Sequence, residues 1–96
     1  KQVLCVTHLP QIAAMADAAG VACMMGCMLE SKVGITAAAA LSAGKAVITK
    51  NDLDAADLMA ADPVRGGITY DKDHLVVPDA PGLGITAIDG WLPLKD

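Results

Sequence analysis

The arrangement in this sequence best suited to chemistry is Asp52-Leu53-Asp54. Residues two apart on a β-strand point to the same side. Both carboxylates would then sit together at the C-terminal end of the strand that begins at Ala46, where paired anions can hold an ammonium group. The same residues have a second reading. Asp54 precedes Ala55-Ala56-Asp57 and can cap the exposed backbone N–H groups of a short helix, with Asp57 favourable in its first turn. Glu30, at the end of an earlier apolar run, is placed to line the mouth of a site, and Met28 and Leu29 beside it are expected to pack in a core.

The remaining reactive side chains are scattered. Lys32, Lys45 and Lys50 read as solvated surface charge. His8 reads as a loop or helix-start residue, and His74 as a surface residue of a hairpin. Cys5, Cys23 and Cys27 with His8 could in principle ligate zinc. Cys23 and Cys27, however, would stand about 13 Å apart at strand rise, too far for one ion, so buried thiols are expected. Gly44-Lys45 lacks the spaced glycines of a phosphate loop. Gly82-Leu83-Gly84 lacks the third glycine and the strand–helix setting of a dinucleotide site. Trp91 is expected to anchor terminal packing. No catalytic residue, metal site or cofactor is expected within this chain.

The elements that must position these residues follow from their apolar patterning. Val3 to Thr7 is a short β-branched strand, and Pro10 opens a helix that Gly20 closes, with Ile12, Met15 and Ala16 on one face. Val21 to Leu29 is apolar on both faces, as a parallel strand covered by helices would be. Val33 to Lys45 is an Ala-rich helix with a Gly stop. Ala46 restarts a strand, and Ala55 to Ala61 forms a short helix closed by Asp62-Pro63. The expected fold class is α/β, a βαβαβα unit with parallel strands and right-handed crossovers. After Pro63 a C-terminal β-hairpin turns at Asp71-Lys72-Asp73 and leaves through a Pro/Gly-rich segment.

Composition narrows the function classes. The 96 residues are 54% hydrophobic but 2% aromatic, with no Phe, and Ala supplies roughly a third of the hydrophobic set. Ala has little side chain to bury, so the core is plentiful but finely divided. Three parallel strands would also leave two open edges. Packing against a second copy or a missing remainder is therefore expected, and a chain that begins at Lys1 reads as a piece of something longer. A net charge of −4 excludes a basic surface for nucleic acid. The apolar stretches fall short of the roughly 20 residues that span a bilayer. Three cysteines, too few for a disulfide scaffold, point to free thiols in the cytoplasm.

Gly20-Val21-Ala22-Cys23-Met24-Met25-Gly26-Cys27-Met28-Leu29-Glu30-Ser31-Lys32 with Gly34-Ile35-Thr36-Ala37 resembles the seventh βα unit of dipeptide epimerases of the Ala-Glu type, in the enolase superfamily. Asp52-Leu53-Asp54 resembles the Asp-x-Asp of their eighth strand. Asp62 to Tyr70 and Pro78 to Ile85 resemble their return segment. The likeness covers about residues 18–89, roughly the last quarter of a family member, and departs at Ala40, where many relatives carry His. It implies a partial (β/α) barrel. It also implies that Asp52 and Asp54 bind a dipeptide's amino terminus, that Met28, Leu29 and Glu30 line the barrel mouth, and that the parent family uses Mg2+. The bases and metal ligands of that family lie on earlier strands, so this chain carries the substrate-recognition end of an isomerase without its catalytic groups.

Gln2-Val3-Leu4-Cys5-Val6-Thr7-His8-Leu9-Pro10-Gln11-Ile12-Ala13 resembles instead the switch-histidine region of RecN-type DNA-repair ATPases, which would make His8 a nucleotide-sensing residue. Residues 1–17 are thus set apart as an ATPase-like βα segment. Residues 18–62 read as the barrel-like units and 63–96 as the hairpin and return segment, all in one folding unit. The expected protein is a non-catalytic fragment or chimera that self-associates. The alternatives are part of an active epimerase whose remainder is absent, or a remnant of a DNA-repair ATPase.

Overall fold

A computed structural model describes residues 5–6 and 10–91. Strand β1 (Cys5–Val6) leads to helix α1 (Pro10–Ala18), β2 (Cys23–Gly26), α2 (Lys32–Ala43) and β3 (Ile48–Asp52). The three strands lie in one parallel sheet in the order β1-β2-β3, as the alternating pattern predicts.

Helix α1 begins at Pro10, whose fixed φ suits a first turn. It ends where Gly20 adopts φ 69° and the Val21 N–H reaches back to the Ala16 carbonyl at 2.8 Å. Its inner face is not the expected one. Ala13 and Ala16 are buried, whereas Ile12 and Met15 are exposed. The small side chains meet the core, and the large ones are left outside.

Strand β2 is shorter than its apolar run. Cys23 and Met25 are fully buried, and the chain leaves the sheet after Gly26. Met28 and Leu29 therefore lie in the β2–α2 connection and are 80% and 90% exposed, which corrects the expectation of core packing. Helix α2 starts after Ser31 and stops where the Gly44 N–H bonds the Ala40 and Leu41 carbonyls. Its inner stripe of Ile35, Thr36 and Ala39 covers the sheet.

The helix expected over Ala55–Ala61 does not form. Asp57 and Leu58 donate their N–H groups to the Asp54 carbonyl at 3.0 and 3.2 Å, closing a single turn. A segment this short is marginal as a helix without an apolar face to hold it. Here the small Ala55 and Ala56 are buried while Leu58 is exposed.

The C-terminal hairpin is present as β5 (Thr69–Asp71) and β6 (His74–Val76), antiparallel, with Lys72 at φ 57° in the turn. A further antiparallel pair joins β4 (Val64–Gly66) to β7 (Ile85–Ile88). Its partners are separated by the whole hairpin, so no local turn announces it. Arg65 donates from Nε to the Asp89 carboxylate at 2.8 Å across this pair, and the guanidinium's pKa is raised by that bond.

One buried tie joins the sheet layer to the return segment. The Thr36 hydroxyl, wholly buried, donates to the Lys32 carbonyl at 2.6 Å and accepts from the Ile68 N–H at 3.1 Å. Gly67 beside it has φ 76°, and a Cβ there would come within 2.7 Å of the Thr36 oxygen, so only glycine allows this approach. Ile68 then enters the core cluster with Met25, Ile35 and Leu53. Burying a side chain of this size contributes about 1.5–3 kcal/mol. The described strands form this parallel sheet and two antiparallel pairs, not a closed barrel. No helix among the described residues is long and apolar enough to cross a membrane.

Candidate functional site

The C-terminal edge of the parallel sheet gathers the residues singled out above. Gly26 pairs with Asp52 at the ends of β2 and β3, and the Cys27 N–H continues the contact to the Asp52 carbonyl at 3.1 Å. This brings the loop carrying Met28, Leu29 and Glu30 beside Asp52-Leu53-Asp54. Leu53 is 4% exposed and anchors the segment in the core, with an exposed aspartate on either side of it. Strand β3 ends at Asp52, so Asp54 lies just past the ladder rather than on it.

Among the described residues neither carboxylate makes a hydrogen bond or ion pair. The turn after Asp54 is closed by that residue's backbone carbonyl, not its side chain. The capping role is therefore not taken up, and both anions remain open to solvent. Glu30 is half-buried and folds back over Gly34 in the first turn of α2, where any Cβ would collide with its carboxylate. It flanks the edge rather than facing straight out of it.

Two contacts brace the edge. The Tyr70 hydroxyl, from the hairpin, donates to the Leu53 carbonyl at 2.7 Å. Burial and then the acidic groups of Asp57, Cys27 and Asp54 raise the Tyr70 pKa, opposed by the Asp57 backbone N–H, so the hydroxyl remains a donor at neutral pH. Lys32 Nζ meets the Asp62 carboxylate at 2.7 Å, with the lysine only 14% exposed. It is not the solvated surface charge expected from sequence. The Lys32 bond, aided by the Val64 N–H at 2.9 Å, lowers the Asp62 pKa against the opposing effect of burial. A cleft of about 340 Å³ opens between these braces, with Ile68 and Ala56 as apolar lining and Asp57, Thr69 and Tyr70 among its polar groups.

The other sequence candidates are not drawn to this edge. His8 lies outside the described residues. His74 is a surface residue whose Nδ1 meets Asp73 at 2.7 Å. Cys23 is buried and Cys27 half-buried. Trp91 is 69% exposed rather than the buried anchor expected. Gly84 serves the fold, its carbonyl accepting from the Gly67 N–H at 3.0 Å. Among the described residues no group of three or more His, Cys, Asp and Glu could hold a metal ion. These residues alone therefore do not fit the Mg2+ site implied by the resemblance. Tyr70, Thr36 and the Lys32–Asp62 pair escaped sequence reasoning because each acts on a partner remote along the chain.

Three comparisons bear on this geometry. A family model described as "Enolase C-terminal domain-like" matches residues 3–90. An L-Ala-D/L-Glu epimerase of Clostridium acetobutylicum is 51% identical over 79 residues, covering 82% of this chain and 22% of that protein. The structure of a substrate-liganded complex of the L-Ala-D/L-Glu epimerase from Bacillus subtilis aligns with a TM-score of 0.79 at 49% identity, over 81% of this chain and 22% of that one. A dipeptide epimerase from Cytophaga hutchinsonii, complexed with Mg and D-Ala-L-Val, aligns with a TM-score of 0.77 at 36% identity, over 84% of this chain and 22% of its own. The chain thus spans about a fifth of the length of these relatives. The family match also runs through residues 3–17, and neither the ATPase-like segment nor the chimera finds support in these likenesses. By the extent of that match and the closeness of these relatives, the chain belongs to the enolase C-terminal domain-like family.

Proposed function

We propose that this chain is the substrate-recognition end of a metal-dependent dipeptide epimerase, with Asp52 and Asp54 holding the α-ammonium group of the dipeptide. One observation carries the reading: two exposed carboxylates without partners among the described residues flank a buried leucine, at the sheet edge where Met28 and Leu29 are also exposed. An ammonium group offers both anions a counter-charge, and the adjacent apolar loop offers the dipeptide's side chain a surface. Glu30 borders the same mouth. The relatives whose names specify L-Ala-D/L-Glu make L-Ala-L-Glu the natural probe.

Within this reading the parallel unit of 18–62 and the return segment of 63–96 form part of a (β/α) barrel, whose C-terminal strand ends are where such folds place their sites. Epimerisation needs bases on both faces of an α-carbon and stabilisation of the enolate. Nothing at the described edge supplies those bases, and any Mg2+ would be held by residues beyond it. The chain alone binds but does not epimerise, and its open sheet edges pair with another copy. A second reading, favoured by the one-fifth coverage of the relatives, makes the same edge a working part of a whole epimerase. Three cysteines, too few for a disulfide scaffold, agree with a reducing, cytoplasmic setting. The resemblance of Gln2–Ala13 to an ATPase switch region carries no function here without a phosphate loop.

Calorimetric titration with L-Ala-L-Glu and with its N-acetyl derivative tests the assignment. Each exposed charge pair at contact distance is worth about 1 kcal/mol in water. Asp52→Asn with Asp54→Asn should therefore weaken binding of the free dipeptide on the order of 10-fold or more, leaving the acetylated one unaffected. Equal affinity of the wild-type chain for both ligands would remove the ammonium site.

A further inference from the structure

We infer that Tyr70 is a positioning residue for the Asp52/Asp54 pair, fixing through its hydroxyl the peptide that joins the two carboxylates. The inference rests on the recognition role proposed above and adds a residue to it. Strand β3 ends at Asp52, so the sheet ladder stops one residue short of Leu53. There the Tyr70 hydroxyl takes over, donating to the Leu53 carbonyl at 2.7 Å. The carbonyl belongs to the peptide unit whose nitrogen is that of Asp54, so holding it sets the direction in which Asp54 leaves the strand. On the other side the Leu53 side chain is locked in the core. Beyond it the Asp54 carbonyl closes the next turn with the N–H groups of Asp57 and Leu58.

A positioning group must itself be held, and Tyr70 is. Its strand β5 pairs with β6, placing Tyr70 opposite Leu75, and both pack against the core cluster. Two residues before it, Ile68 is fully buried with its N–H on the Thr36 hydroxyl. The chain thus runs from α2 through Thr36, Ile68 and Tyr70 to Leu53. The hairpin, which carries none of the candidate ligand-binding residues, reaches the recognition edge through one hydroxyl. Its high pKa keeps that hydroxyl a donor rather than an anion facing Asp54 and Asp57.

Tyr70→Phe removes only this oxygen and leaves the ring against Leu75. Its readout without ligand is the Leu53 carbonyl carbon resonance together with amide exchange at Asp57 and Leu58. The carbonyl resonance should move upfield, and exchange at both amides should speed by about 2- to 12-fold, the net worth of one hydrogen bond, while the Cys23–Gly26 amides keep their rates. With ligand, L-Ala-L-Glu should bind about 2- to 12-fold more weakly to Tyr70→Phe than to the wild type. The same substitution made on the Asp52→Asn, Asp54→Asn background should change nothing further. An unchanged Leu53 resonance overturns the inference, as does an equal loss of affinity on both backgrounds. Failure of the wild-type chain to bind L-Ala-L-Glu would instead sink the recognition role. The Leu53 resonance and amide exchange would still decide whether Tyr70 sets the Asp-x-Asp turn.

Discussion

Thr36→Val tests how far the Thr36 hydroxyl fastens the return segment to α2. Valine matches threonine in shape, so the substitution removes the oxygen without opening a cavity. It leaves the Ile68 N–H, which now meets Thr36 Oγ1 at 3.1 Å in a wholly buried position, without that acceptor. An orphaned buried donor costs about 1–3 kcal/mol. The second bond, from the hydroxyl to the Lys32 carbonyl at 2.6 Å, adds little to the loss, because it supplements a carbonyl already placed to accept within the helix. Thr36→Ser is the control: it keeps both bonds and loses one buried methyl, about 0.8 kcal/mol. In urea unfolding followed by circular dichroism, Thr36→Val should therefore be less stable than Thr36→Ser. Each kcal/mol corresponds to about 4–8 °C in Tm for a domain of this size. A valine variant as stable as the serine variant would refute the reasoning, since burial of the methyl rather than the hydroxyl bond would then account for Thr36.

The Lys32–Asp62 pair predicts a pH effect of known sign. The Asp62 pKa is lowered in the folded chain, first by its bond to Lys32. The stability it contributes is therefore present above the unfolded value of about 3.9 and disappears as pH falls through the folded pKa. Because Asp62 is 41% exposed, solvent screening holds this contribution to about 0–1 kcal/mol. Lys32→Met should raise the Asp62 pKa in a carboxyl-carbon NMR titration, and an unmoved titration would dissociate the pair. Self-association predicts a concentration-dependent mass in light scattering, and a constant monomer mass at high concentration would argue that the sheet edges stay unpaired.

Those parts of the molecule that depend on neighbours in sequence were readable from the residues alone. Pro10 and Gly20 delimit α1, the Ala-rich run makes α2, and alternating strands and helices produce a parallel sheet. The Asp71-Lys72-Asp73 turn makes the hairpin. In each, local backbone preference and apolar spacing agree with the final structure. Legibility failed where the outcome depended on how far a layer extends. Met28 and Leu29 look like core residues, but β2 stops at Gly26 and leaves them outside the helix-covered part of the sheet. Ala55–Ala61 has helix propensity, yet its buried residues are too small and too few to sustain a helix.

The sequence by itself determined the order of elements, the family resemblance and the identity of two carboxylates that could act together. Tertiary structure decided that these carboxylates are open rather than engaged in capping, and what holds them there. Tyr70 meets Leu53 across 17 positions, and Thr36 meets Ile68 across 32. Lys32 finds Asp62 beyond an entire strand. No local pattern encodes such contacts, because a hydroxyl or ammonium group takes whichever partner the packed elements bring within about 3 Å. The chemistry proposed for the edge is thus written in two aspartates, while their surroundings come from the hairpin and helix folded against them.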